Sequence, residues 1–156
     1  MPIKKLLLVS CSTGAGHFRA AEALRLTARK LYPETQVLHI DLADYLSGPA
    51  KIIGISSYNP LTHTLPKFYK FIYYFSDIAL TQKFLYLIKP ILRLGAKKFL
   101  KKVEDYAPDH IVSTHFFTPL VLPDRSAAPL DMVITDYHVH RIWLAPNVRN
   151  FFVASE

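Results

Sequence analysis

A short apolar run at residues 4–10 (KKLLLVS) leads straight into a glycine-containing turn at 11–16, a helical pattern over 17–31 and a second apolar run at 36–41 (QVLHID). This succession constrains the fold more than any other part of the chain. An uncharged apolar stretch behind a basic start suits a strand buried on both faces, as in a parallel sheet. The helical stretch gathers Ala20, Ala21, Leu24, Ala28 and Leu31 on one face, with Arg19, Glu22, Arg25 and Arg29 mostly elsewhere, and Pro33 ends it. Strand, glycine turn, helix, strand is the opening of a doubly wound domain. The expected fold class is therefore α/β, with a Rossmann-like parallel sheet.

The same rhythm returns towards the end. Residues 110–114 (HIVST), 132–135 (MVIT) and 150–154 (NFFVA) read as further strands. The sequence stops at Ser155-Glu156, directly after the last of them. A parallel strand needs crossover helices on both sides, so the expectation is one domain of a larger design.

The middle of the chain differs. Residues 44–66 are punctuated by Gly48, Pro49, Gly54, Pro60 and Pro66, which marks irregular structure. Residues 67–102 then hold nine Lys and Arg against Asp77 alone, so the net charge of +7 belongs to this one segment. Aromatic residues are interleaved with the cations, and Pro90 separates two helices or opens the second. Lys89, Arg93, Lys97 and Lys101 follow at i+4 spacing, with Leu92 and Phe99 on other faces. The reading is an inserted basic amphipathic helical segment, about 58–104. Such a segment suits an anionic membrane surface, nucleic acid or a solvated helix over a core.

Bulk properties narrow the class. With 51% hydrophobic and 13% aromatic residues the chain is not a disordered tail. No run of about 18 uncharged apolar residues exists to span a bilayer as a simple helix. The apolar run after Lys4 and Lys5 is too short for a signal peptide. The one cysteine, Cys11, rules out an internal disulfide framework and fits a reducing cytoplasm.

Ser12-Thr13-Gly14-Ala15-Gly16-His17 sits between the first strand and the first helix. Glycines there allow positive φ and close backbone approach, and a helix N-terminus offers free N–H groups. No Lys-Ser/Thr pair follows, so this is not a P-loop, and Ala20 stands where a dinucleotide fingerprint needs its third glycine. His17 sets the motif apart. An imidazole at a helix N-terminus has its cationic form disfavoured, so it stays neutral and can accept a proton. Asp136, His138 and His140 alternate on an extended segment and, with His115, admit a metal reading on spacing alone. The other reading puts Asp136 and His140 in the cleft at the strand C-termini, Asp136 orienting His17 or binding an acceptor hydroxyl. Trp143 anchors at lipid headgroup level or packs inside.

Residues 8–17 (LVSCSTGAGH), followed by Ala20-Ala21-Glu22-Ala23-Leu24, resemble the opening of the galactolipid synthase family, which includes plant monogalactosyldiacylglycerol synthases and bacterial processive diacylglycerol glucosyltransferases. Residues 135–143 (TDYHVHRIW) and 153–156 (VASE) resemble that family's Thr-Asp…His…Trp segment and the strand after it. Residues 68–73 (FYKFIY) resemble its Leu-Tyr-Lys…Tyr stretch more weakly. The matches run in order along the whole chain. The departure lies at 116–130, where Pro119, Pro123 and Pro129 replace a longer helix.

The resemblance implies two facing α/β domains of the GT-B architecture, of which this is the N-terminal half, with the C-terminal donor-binding domain absent. It implies inverting transfer of a hexose from a UDP-sugar, as co-substrate rather than cofactor, to diacylglycerol or a related membrane lipid. His17 takes the place of the family's candidate base, and Asp136 joins it as the second catalytic residue. Gly14, Gly16, His140 and Trp143 would line the acceptor site, and Lys89, Arg93, Lys97 and Lys101 the membrane surface. No metal is expected, since the chain contains no Asp-x-Asp. The implied partners are a lipid acceptor, an anionic membrane and a donor-binding domain in cis or in trans, with no nucleic acid, at the cytoplasmic face of the membrane. Two rivals stand beside this reading: a cell-wall lipid-intermediate sugar transferase, and a non-catalytic membrane-docking subunit of a split transferase.

Overall fold

The computed structural model describes residues 2–56, 79–137 and 139–154. The Phe68–Tyr73 motif, His138 and the final Ser155-Glu156 therefore lie outside the described residues. The chain opens with β1 (Lys5–Ser10), α1 (Ala15–Leu31) and β2 (Gln36–Asp41), followed by a 3-10 turn and the single-turn α2 (Gly48–Lys51). Among the described residues from 79 onward, three helices follow one another: α3 (Ala79–Leu87), α4 (Lys89–Gly95) and α5 (Lys97–Tyr106). The chain continues through β3 (His110–Ser113), the one-turn α6 (Thr118–Val121), β4 (Leu130–Ile134), a 3-10 turn at Arg141–Trp143 and β5 (Asn150–Val153).

The five strands form one sheet in the order β2-β1-β3-β4-β5, and every pairing is parallel. This is the α/β Rossmann-like sheet expected for the N-terminal half of a GT-B architecture. β1 is paired along both edges, Leu7 facing Leu38 on one side and Ile111 on the other. Leu7, Leu8 and Val9 are at most 1% exposed, so both faces of β1 are covered as well. Each such side chain contributes about 1.5–3 kcal/mol relative to exposure.

The larger core joins Leu7, Val9 and Ile111 to Leu92, Ala96 and Phe99 of the helical segment. A smaller one unites Met132, Ile134 and Trp143. Gly95 lets α4 approach α2: a Cβ there would lie 2.4 Å from the Ser47 carbonyl oxygen and 2.7 Å from the Ala50 Cβ. Between β3 and β4 the chain makes only the single turn of α6, consistent with the three prolines of that stretch. No helix among the described residues is long and apolar enough to cross a membrane.

The expected basic stripe of Lys89, Arg93, Lys97 and Lys101 is not one face. α4 ends at Ala96 (φ −107°, ψ 15°), between Arg93 and Lys97, so i+4 counting loses its register there. Lys89 is 4% exposed. Its Nζ lies 2.5 Å from Asp124 Oδ1 and 4.6 Å from the Tyr86 ring centroid. Arg93 donates to the Leu122 carbonyl at 2.8 Å and lies 3.3 Å from the same carboxylate. The Lys89 ammonium, with Arg93 beyond it, holds Asp124 below the usual carboxylate range. Burial, then the Asp124 charge, pushes the Tyr86 hydroxyl up to about 12. Only Lys97 and Lys101 of the four are exposed, and Lys101 bridges to Asp105 at 2.8 Å.

α5 ends at Ala107, whose φ of 47° is left-handed and whose N–H caps the Val103 carbonyl at 2.9 Å. An alanine there bears a steric cost that glycine lacks. Ala107→Gly should therefore stabilise the fold by about 0.5–1 kcal/mol, measured as a higher urea midpoint at unchanged m-value. An unchanged or lower midpoint would show that the position carries no strain.

Candidate active site

The chain reverses its direction across the sheet at β1. It steps to β2 on one side, then returns to β3 on the other, and at such a switch point the C-terminal strand ends leave a crevice. Three segments converge there: Cys11–His17 after β1, Thr114–Phe117 after β3, and Thr135-Asp136 after β4.

The turn after β1 is held by its neighbours. Ser12 donates its N–H to Asp41 Oδ1 at 3.1 Å and its hydroxyl to Asp41 Oδ2. Cys11 is fully buried, and desolvation, with Asp41 nearby, pushes its thiol up to about 12, so it is an inert packing group. Gly14 caps α1 with φ −171°, and no side-chain cap bond accompanies it. Gly14 and Gly16 have no left-handed backbone; Gly48 is the one positive-φ glycine among the described residues. A Cβ on either would meet nothing within 4 Å. The expected need for positive φ is thus replaced by bareness: these glycines leave the first turn of α1 uncovered by side chains.

His17 occupies that turn, partly exposed. Its Nδ1 lies 2.7 Å from the Thr114 carbonyl oxygen and 2.7 Å from Thr135 Oγ1. The Thr114 hydroxyl donates back to the His17 carbonyl at 2.9 Å. A carbonyl oxygen only accepts, so Nδ1 carries a proton, and in the neutral ring the lone pair is on Nε2. The ring is framed by His115, edge-on at 4.8 Å between centroids, and by Trp143 at 6.1 Å.

His115 has the opposite tautomer. The Phe117 N–H donates to its Nδ1 at 3.3 Å, so Nε2–H donates to Thr13 Oγ1 at 3.1 Å. Complete burial, and secondarily the neighbouring His17, holds its pKa well below the ordinary imidazole value. With both ring nitrogens engaged and the ring 1% exposed, His115 does not serve as a metal ligand. No group of three His, Cys, Asp or Glu among the described residues is placed to hold a metal ion.

The remaining candidates divide. Asp136 is exposed and accepts the Trp143 indole N–H at 2.8 Å. It does not take the orienting role beside His17, which falls to Thr114 and Thr135. Trp143 is 0% exposed and packs against Met132, Ile134 and Phe116, so it is not a headgroup anchor. His140 is 4% exposed, and its carbonyl accepts the Trp143 N–H at 3.0 Å, which places it in the wall rather than on the lining. Sequence reasoning missed Thr13, Thr114 and Thr135. The available signal was the polar run Ser113-Thr114-His115 at the C-terminal end of a buried strand, where side chains face a cleft.

The two opposed tautomers are directly measurable. In ¹⁵N-histidine-labelled protein, long-range ¹H–¹⁵N correlation spectra should show His17 protonated on Nδ1 and His115 on Nε2. Thr135→Val should broaden or shift the His17 pattern while leaving that of His115 in place. A His17 protonated on Nε2 would remove the lone pair that the geometry leaves open.

Residues 17–156 match the family described as monogalactosyldiacylglycerol (MGDG) synthase. Over 98% of its length the chain is 27% identical to the processive diacylglycerol beta-glucosyltransferase of Bacillus subtilis (strain 168), and 25% identical to the protein of that name from Bacillus pumilus (strain SAFR-032). It spans 40% of the length of each of these relatives. No solved structure gives a significant match. A match over nearly the whole chain, with a candidate base at the sheet's switch point, makes this protein a member of the monogalactosyldiacylglycerol synthase family.

Proposed function

We propose that the chain is the acceptor-side half of an inverting lipid glycosyltransferase, moving a hexose from a UDP-sugar to diacylglycerol or a related membrane lipid. The observation that carries this is His17, whose Nδ1–H is committed to Thr114 and Thr135 and whose Nε2 remains a base. Curated relatives named as diacylglycerol glucosyltransferases support the lipid acceptor.

In this reading Nε2 of His17 takes the proton of the acceptor hydroxyl while the hydroxyl oxygen attacks the anomeric carbon from the face opposite the leaving group. The new C–O bond forms as the bond from the anomeric carbon to the diphosphate breaks, and its electron pair leaves with UDP. The imidazolium formed keeps its Nδ1–H on Thr114, so the ring need not turn during the step. Asp136, anchored through one oxygen by the Trp143 indole, has its second oxygen for an acceptor hydroxyl. The bare ledge of Gly14 and Gly16 lets the acceptor approach the first turn of α1. The donor sugar is held by a second domain, in cis or in trans, since catalysis needs both substrates in near-attack geometry. The enzyme works as a peripheral protein on the cytoplasmic face of an anionic membrane.

The test joins this chain to the donor half of a relative and follows radiolabelled sugar from UDP-sugar to diacylglycerol in mixed micelles. The joined protein should transfer sugar, and the 156-residue chain by itself should not. His17→Ala should lower kcat by roughly 10²–10⁴ with little change in the KM for UDP-sugar. A loss below tenfold in a folded variant would make His17 a structural cap, and robust transfer by the chain alone would overturn the half-enzyme reading.

A further inference from the structure

The helical pair α3–α4 is apolar on two sides. Leu85 and Leu92 are buried against the body of the protein, with Ile88 packed beside them. The opposite side carries Phe84, Leu87, Ile91 and Leu94, which are 57%, 76%, 51% and 62% exposed. Their spacing of three, four and three residues stacks them in one stripe. The stripe survives the joint between the helices, because the Ile88 N–H bonds to the Phe84 carbonyl at 3.1 Å and the Leu92 N–H to the Ile88 carbonyl at 3.0 Å. A soluble surface helix shows charge on that side, whereas a helix apolar all round belongs in a core or in lipid.

Charge says which. Residues 79–102 contain no Asp or Glu. Lys89 and Arg93 are turned inward on to Asp124. The cations left exposed are Lys83 at one end of the stripe and Lys97, Lys98 and Lys101 beyond the other. Protein interfaces are depleted of lysine. A Phe/Leu/Ile face with lysines at its ends is instead the pattern of a helix lying in the headgroup region of an anionic bilayer.

We propose that Phe84, Leu87, Ile91 and Leu94 insert into the outer part of an anionic lipid leaflet while Lys83, Lys97 and Lys98 contact its headgroups. This rests on the lipid-acceptor reading only for the presence of a membrane. It replaces the stripe of Lys89, Arg93, Lys97 and Lys101 with an apolar stripe bounded by lysines.

The test uses the whole chain and vesicles of phosphatidylglycerol or phosphatidylcholine, without sugar nucleotide, so that binding and transfer can fail separately. Leu87→Trp should shift its emission to the blue on phosphatidylglycerol vesicles and be quenched by lipids brominated on the acyl chain; Trp143, fully buried, is a constant background. The double substitution Leu87→Gln/Leu94→Gln lies at exposed positions and should leave the melting curve unchanged while weakening vesicle binding at least tenfold. Lys97→Gln/Lys98→Gln should weaken it by about 5–25-fold and flatten its salt dependence. Two results would overturn the proposal. One is wild-type vesicle binding by the Leu87/Leu94 variant. The other is a lipid-free dimer, seen by sedimentation velocity and abolished by that variant, which would assign the stripe to a second copy of the chain.

Discussion

The double pairing of β1 is the constraint on which the rest of the structure depends. A strand bonded along both edges and covered on both faces offers water nothing but its ends, and its C-terminal end opens into the turn that carries His17. α1 must begin there because it is the crossover from β1 to β2, and β3 must end beside it because β3 pairs with the other edge. The two segments that orient His17 are thus brought together by main-chain pairing, before any side chain of the site has made a contact. A parallel sheet concentrates chemistry at one end for this reason.

Two imidazoles lie side by side in this crevice and behave differently because their hydrogen bonds differ. His115 is buried, gives Nε2–H to Thr13 and receives a main-chain N–H on Nδ1, so neither nitrogen is left for chemistry. His17 is partly exposed and bound through Nδ1 alone among the contacts described above, to a carbonyl and a hydroxyl. Burial and hydrogen-bond partners, more than residue type, set these two imidazoles apart. Trp143 and Asp136 form the wall behind them: the indole N–H satisfies the carboxylate while the ring fills the smaller core.

The helical segment is fastened by electrostatics as well as by apolar packing. Lys89 reaches Asp124 across a 35-residue separation in the chain, and Arg93 closes on the same carboxylate and on the Leu122 carbonyl. Lys89 is the buried member of this group, while Asp124 is exposed and stays hydrated as it neutralises the ammonium. Turning these charges inward leaves the outer side of the helices to apolar residues. The local packing of cations and the exposure of leucines are two consequences of one geometry.

The sequence by itself determined the succession of strands along the chain, the crossover helix and the place of His17. Short apolar runs bounded by turn residues have the length of strands, and a glycine turn between strand and helix puts whatever follows it on the first helical turn. Helix faces were less legible. The i+4 row from Lys89 to Lys101 assumed one straight helix, whereas the break at Ala96 separates Arg93 from Lys97, and Lys89 and Arg93 turn on to Asp124. The tertiary structure alone decided which nitrogen of His17 is free, because the groups that fix it come from 97 and 118 residues away. It also decided that Trp143 packs inside rather than facing lipid. A side chain's type limits which bonds it can make, but the partners that complete those bonds arrive only when distant strands align their ends.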